Sequence, residues 1–316
     1  MKKALKITGK ILLGIVSVII VALLGSFVYN KICMASEKDL LENQIYGQKV
    51  EVYGNEMSIY VAGEGEHTLV FMAGAGDVAP ILGYKKFIDR FENEYKVVVI
   101  EKFGYGYSDA FDGSRDVETR VKQDREALKK AGVEGPYILC PHSYSGLETV
   151  YWAQNFPDEV EAIVGLDMAV PGAYDHYDEK QIESEVTTYF WYSAAREAGI
   201  LRFFVKGSLP DGYSDDEIRS YTALVCSRFC NKTFEHESDY VIQDRTLIES
   251  HKMPDIPTLL IVSDGTVDEG WIDYENAYAS SVTDADIVQL DCGHSVYLYE
   301  PDACEDAMRE FLKGLD

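Results

Sequence analysis

Cysteine is scarce in this chain, with six in 316 residues. That is too few for a disulfide scaffold, and their spacing matches no zinc pattern. Cys226 and Cys230 stand four apart, which predicts one shared helix face, and Cys140 lies in an apolar run as a small buried hydrophobe. Positive charge is also in deficit, with 29 Lys and Arg against 54 Asp and Glu and a net charge of −25. No basic stripe offsets it, which argues against a nucleic-acid partner and against polyanionic substrates. A phosphate cradle is missing as well. Ala73-Gly74-Ala75-Gly76 lacks the Lys-Ser/Thr of a P-loop, and its glycines do not fall at G-x-G-x-x-G. Neither a metal nor an organic cofactor is implied.

What is present suits one large domain with an insertion: 47% of the residues are hydrophobic, enough to bury a full core. Ahead of it lies one long uncharged run, Ile11 to Tyr29. At about 1.5 Å per residue it can cross a hydrocarbon core of roughly 30 Å. Lys2, Lys3, Lys6 and Lys10 precede it, an asymmetry that puts the N-terminus in the cytoplasm and the body outside the membrane. The run exceeds the h-region of a signal peptide, which favours an uncleaved anchor; a cleavage site at Cys33-Met34-Ala35 is the rival.

The chemistry centres on Pro141-His142-Ser143-Tyr144-Ser145-Gly146, between the apolar run 137–140 and a helix-like stretch 147–155. This spacing puts Ser143 at a sharp strand-to-helix turn, where only small residues fit nearby. Four more strand patterns alternate with helical ones, 68–72, 95–100, 160–167 and 258–262, and 287–290 reads as the last. That alternation predicts a doubly wound, mostly parallel sheet. The turn Glu101-Lys102-Phe103-Gly104-Tyr105-Gly106-Tyr107-Ser108-Asp109 matches D-x-x-G-x-G-x-S-D with Glu for the first Asp. On these motifs the chain resembles the α/β-hydrolase superfamily, in its branch of esterases and prolyl aminopeptidase-like serine hydrolases. The resemblance divides the chain into a tail and transmembrane anchor (1–35), a hydrolase core (36–172 and 250–316) and a helical cap insertion (173–249).

The resemblance also implies site residues. Ser143 is the nucleophile, and His294, in Gly293-His294 after the last strand, is the base. The family's third member is a carboxylate that holds the base in the right tautomer. Asp264, after the strand 258–262, is the first candidate for it. Asp167, ending the sixth strand, is the alternative, and Asp268 the third, unless it caps the helix of Trp271 and Tyr274. Backbone N–H groups of Ala75 and Tyr144 are the expected oxyanion donors. Ser145 is expected only to be small, and His142 to point elsewhere.

The insertion is rich in aromatic residues, among them Tyr174, Tyr177, Tyr189, Phe190, Trp191, Phe203 and Phe204. Most are expected to pack inside the cap and some to roof the site. Six acids there, Glu183, Glu185, Asp211, Asp215, Asp216 and Glu217, fit either a solvated helix face or recognition of a substrate amine. The expected activity is hydrolysis, through an acyl-enzyme, of a small, largely apolar ester or amide outside the cytoplasmic membrane. Ser at the nucleophile position excludes the epoxide hydrolase and dehalogenase chemistries of the fold, which use Asp there. An aminopeptidase-like peptidase is one alternative. A non-catalytic ligand-binding pseudoenzyme is another, kept open by the unusual Pro141, Ala73 and Thr266.

Overall fold

The computed structural model describes residues 2–205, 209 and 212–315, with side chains from residue 8 on. Asp211, one of the six acids, lies outside the described residues. A helix α1 (Lys2–Ser36) and a short α2 (Lys38–Glu42) precede an eight-stranded sheet. Its strands are β1 (Gln48–Val52), β2 (Asn55–Ala62), β3 (Thr68–Met72), β4 (Lys96–Glu101), β5 (Tyr137–Ser143), β6 (Val160–Met168), β7 (Thr258–Val262) and β8 (Ala285–Gln289). They lie in the order β1-β2-β4-β3-β5-β6-β7-β8. β1 and β2 are antiparallel to their neighbours and the rest are parallel, giving the α/β-hydrolase fold.

The parallel strands read as unbroken apolar runs because helices cover both faces. Alternate residues face opposite ways: Val70, Val98, Leu139 and Ile163 share a core with α4 (Val117–Lys130), α5 (Ser145–Asn155) and α10 (Trp271–Ser281). Phe71, Val99, Ile138 and Val164 meet α3 (Pro80–Ile88) and α12 (Pro301–Leu312) on the other side. The antiparallel pair β1–β2 escapes a search for apolar runs because it is partly exposed and broken by polar residues.

Between β6 and β7 the chain forms helices α6 (Glu179–Glu197), α7 (Asp215–Arg228), α8 (Lys232–Ser238) and α9 (Val241–Glu249). Two sequence readings change here. Cys226 and Cys230 do not share a helix face: α7 ends at Arg228, and Cys230 has a φ of +48°. The aromatic residues of α6 do not all pack inward, since Phe190 and Trp191 are exposed, as are Phe203 and Phe204 beyond it.

Candidate active site

β5 ends at Ser143 with a φ of +53°, a left-handed conformation that a serine holds only where its surroundings enforce it. Two glycines make the room. A Cβ at Gly74 would lie 2.7 Å from the Ser143 Cβ, and one at Gly146 would lie 2.2 Å from the Ala169 carbonyl oxygen. Ser145 does more than stay small. Its buried hydroxyl lies 2.8 Å from the carbonyl oxygens of both Met72 and His142, and it accepts from the His142 N–H at 3.0 Å. The hydroxyl therefore stitches the elbow to the end of β3.

His294 follows β8, and its Nδ1 lies 2.6 Å from Asp167 Oδ2. Donation from Nδ1 to the carboxylate leaves Nε2 as the acceptor, the tautomer that a general base requires. Asp167, at the end of β6, is buried and itself left-handed, with a φ of +52°. Its other oxygen accepts from the Ser263 N–H at 2.7 Å and the Trp271 indole at 2.9 Å. Trp271 also meets the His294 ring edge-on at 5.5 Å.

The first candidate for the acid is thereby corrected. Asp264 folds back on its own turn, accepting from the Thr266 N–H at 2.9 Å and the Thr266 hydroxyl at 2.7 Å, bonds that hold its carboxyl below the usual range. Thr266 stands where the family pattern puts its acid, and here it is the partner that turns Asp264 away. Asp268 faces His176 at 3.5 Å and does not cap α10, which begins after the left-handed Gly270.

His142 was expected to point away, and it does not. Its Nε2 lies 3.3 Å from the His294 carbonyl oxygen, and the two rings are 4.7 Å apart. A carbonyl only accepts, so Nε2 carries the proton. Burial, with His294 beside it, lowers the His142 pKa to about 3 and keeps the ring neutral. His142 therefore braces the loop that carries His294. A histidine inside the elbow gave no sequence signal of this, because its partner is a backbone atom 152 residues away.

Above Ser143 lies a cavity of about 200 Å³ that Ala75, Tyr144, Tyr174, Tyr189 and Trp271 help to line. The two residues expected to donate to an oxyanion, Ala75 and Tyr144, thus flank it together with Ser143. Of the described acids singled out in the insertion, only Glu185 reaches this cavity. Burial raises its pKa, opposed by hydrogen bonds from Tyr177 and Ser238. Glu183, Asp215 and Asp216 are exposed, while Glu217 closes the capping box of α7 with Ser214.

Glu237 also lines the cavity, but it belongs to a buried ionic cluster. Arg115 and the Tyr105 hydroxyl bond it, with Lys102 3.9 Å away. Burial pushes its pKa up, and the charges of Lys102, Arg115 and Arg120 outweigh that and hold it at about 2. Among the described residues, no group of three or more His, Cys, Asp or Glu is arranged to hold a metal ion.

No family model matches the chain. It is 32% identical over 327 residues to the uncharacterized protein YbdG of Bacillus subtilis (strain 168), covering 99% of each sequence. Among solved structures, the epoxide hydrolase CorEH superposes with a TM-score of 0.67 at 17% identity, over 86% of this chain and 100% of that one. An epoxide hydrolase of Bacillus megaterium, crystallised with an inhibitor, gives 0.65 at 17% identity, over 84% of this chain and 100% of that one.

Proposed function

This chain belongs to one family with YbdG and has the α/β-hydrolase fold, and from those premises we propose that it is a serine hydrolase acting by an acyl-enzyme mechanism on a small, largely apolar ester or amide. The observation that carries the reading is the His294–Asp167 pair at 2.6 Å, its imidazole 4.7 Å from the ring of His142, the neighbour of a strained Ser143 that lines the cavity. Ser143 Oγ attacks the substrate carbonyl carbon while its proton passes to His294 Nε2. Asp167 holds Nδ1–H and stabilises the imidazolium that results. The backbone N–H groups of Ala75 and Tyr144 receive the developing oxyanion. Collapse expels the alcohol or amine, which takes the proton from Nε2. Water then attacks the acyl-enzyme, giving its proton to His294, and the acid leaves with Ser143 Oγ reprotonated.

Support for an apolar part of the substrate comes from the six aromatic side chains in the cavity wall, among them Tyr174, Tyr189, Phe234 and Trp271. An aminopeptidase-like reading is favoured by the carboxylates in the same wall, Glu185 and Asp268, beside Glu237, which Arg115 and Lys102 neutralise. The family's epoxide-opening members use Asp at the nucleophile position, where this chain has Ser143.

The same proposal places the body outside the cytoplasmic membrane, anchored by α1. Within Thr8–Ser36 an 18-residue stretch has a mean hydropathy of 2.9, and none of that stretch is buried. A fluorophosphonate probe tests the chemistry directly, because only an activated serine reacts. The wild-type chain should be labelled and Ser143→Ala should not; equal labelling of the two, or none of the wild type, would remove the assignment. Hydrolysis of short p-nitrophenyl esters and aminoacyl naphthylamides then separates the two substrate classes.

A further inference from the structure

The cap is fastened to α1 at the point where its apolar run gives way to polar residues. Asn30 is buried there, donating to the Arg196 carbonyl at 3.3 Å and accepting from Arg202 Nε at 3.0 Å. Arg202 also forks onto Glu37, at 2.6 and 2.9 Å, and Lys31 pairs with Glu197 at 3.3 Å. Backbones approach closely: a Cβ at Gly199, whose φ is +76°, would lie 2.5 Å from the Asn30 Cβ. Immediately before Asn30, Tyr29 stacks on Phe203 at 6.1 Å and 23°. Ile200 and Phe203 continue along α1 to close an apolar hollow against Ile19, Leu23 and Tyr29.

The exposed apolar surface of the cap gathers next to this joint. Phe190, Trp191, Phe203 and Phe204 are 60%, 66%, 63% and 73% exposed, with Val186 on the same side of α6 as Phe190. Large aromatic side chains bared to this degree carry a heavy solvation penalty in water, whereas the headgroup boundary of a bilayer favours them. Phe203 adjoins the apolar helix from Tyr29, where its uncharged run ends and where that boundary falls for a spanning helix, inward along the hollow toward Ile19. The opposite face of α6 carries Glu185 and Tyr189 to the cavity above Ser143.

We propose that the cap is a second membrane contact, laying its Phe190, Trp191, Phe203 and Phe204 face into the interface of the bilayer that α1 spans. The proposal rests on the reading of α1 as a membrane helix. It makes α6 a partition between lipid on one side and the cavity on the other. A substrate that partitions into the bilayer would then reach the site along the edge of this helix.

The three tryptophans supply the test, because Trp152 and Trp271 are buried and Trp191 alone is exposed. Full-length protein is reconstituted into phosphatidylcholine vesicles with and without bromine on the acyl chains close to the headgroup. Wild-type emission should drop in the brominated vesicles, and Trp191→Phe should lose that drop while still floating with the vesicles and still reacting with a fluorophosphonate. If wild type and Trp191→Phe are quenched equally by bromolipid in protein that floats, the cap proposal is overturned and the anchor stands. Protein that fails to float overturns both. A Trp191 shielded from bromolipid and from aqueous acrylamide alike would mean that a second chain or another protein covers this face, which also overturns the proposal.

Discussion

Asp167 and Asp264 lie in neighbouring strand-end turns, and the choice between them turns on which carboxylate has a free oxygen facing His294. Asp264 spends an oxygen on both donors of Thr266, whereas Asp167 offers Oδ2 to the imidazole and secures Oδ1 with Ser263 and Trp271. Asp167→Asn should therefore lower kcat by about 10⁴-fold, as loss of the orienting carboxylate does in a serine-protease triad. Asp264→Asn should stay within a few-fold of wild type; steady-state kinetics of the two variants decides it. Ser145→Ala removes a buried hydroxyl with three backbone partners, so it should cost about 1–3 kcal/mol of stability in denaturant unfolding. Tight elbow packing gives Ser145 a structural role that motif matching cannot see, because G-x-S-x-G reports side-chain size and not the hydrogen bonds a serine adds.

Elements were legible in proportion to their apolarity. The central strands β3, β5, β6 and β7 stand out because burial on both faces demands a continuous hydrophobic run. Ser143 and His294 are proposed from their place at the ends of such strands. What the sequence could not disclose is contact between distant elements, and the ionic cluster under the cap is the clearest case. Arg120 on α4 bonds Glu148 on α5 at 2.6 Å and Asp244 on α9 at 3.1 Å, while Lys102 bonds Glu148 at 3.0 Å. Along the chain these read as ordinary surface charges. Removing one partner strands the others in the interior, so Arg120→Met should destabilise the chain by about 3–5 kcal/mol. It should also raise hydrogen exchange in α9 more than in β6, because Asp244 additionally accepts from the Val117 N–H at 2.9 Å. Equal exchange in wild type and variant would show that the cluster does not tie the cap to the core.

For the whole molecule, buried acids shape stability against pH. Burial, reinforced by the charge of Glu101, raises the Asp77 pKa to about 7. Burial and the neighbouring Glu148 raise that of Asp124 to about 8. Both groups keep protons in the folded chain that the unfolded chain releases near pH 4, so their contribution favours folding in mild acid and is lost as pH rises toward 7 and 8. Glu237 acts oppositely only below its ordinary range, as pH falls toward 2, and buried neutral His142 opposes the acids below its ordinary pKa of about 6.5, one group against two. The melting temperature should therefore decline from pH 5 to pH 8, and Asp77→Asn with Asp124→Asn should flatten that decline. A melting temperature that rises over this interval in the wild type would contradict the assignment of buried, protonated Asp77 and Asp124.

Helix α1 runs unbroken from its apolar stretch to Ser36, and the clasp of Asn30, Arg202 and Glu37 leaves no slack between it and the body. A domain on a flexible tether samples a hemisphere of heights; this one is mounted on a rod. Under the proposed anchoring, the altitude of its cavity above the bilayer is then a fixed dimension, set by residue count. Inserting one helical turn between the apolar run and Asn30 would lift the body by about 5.4 Å and swing the clasp out of register only slightly, since a turn nearly restores the azimuth. The same proposal makes substrate search a problem of lateral traffic at one level and not of volume.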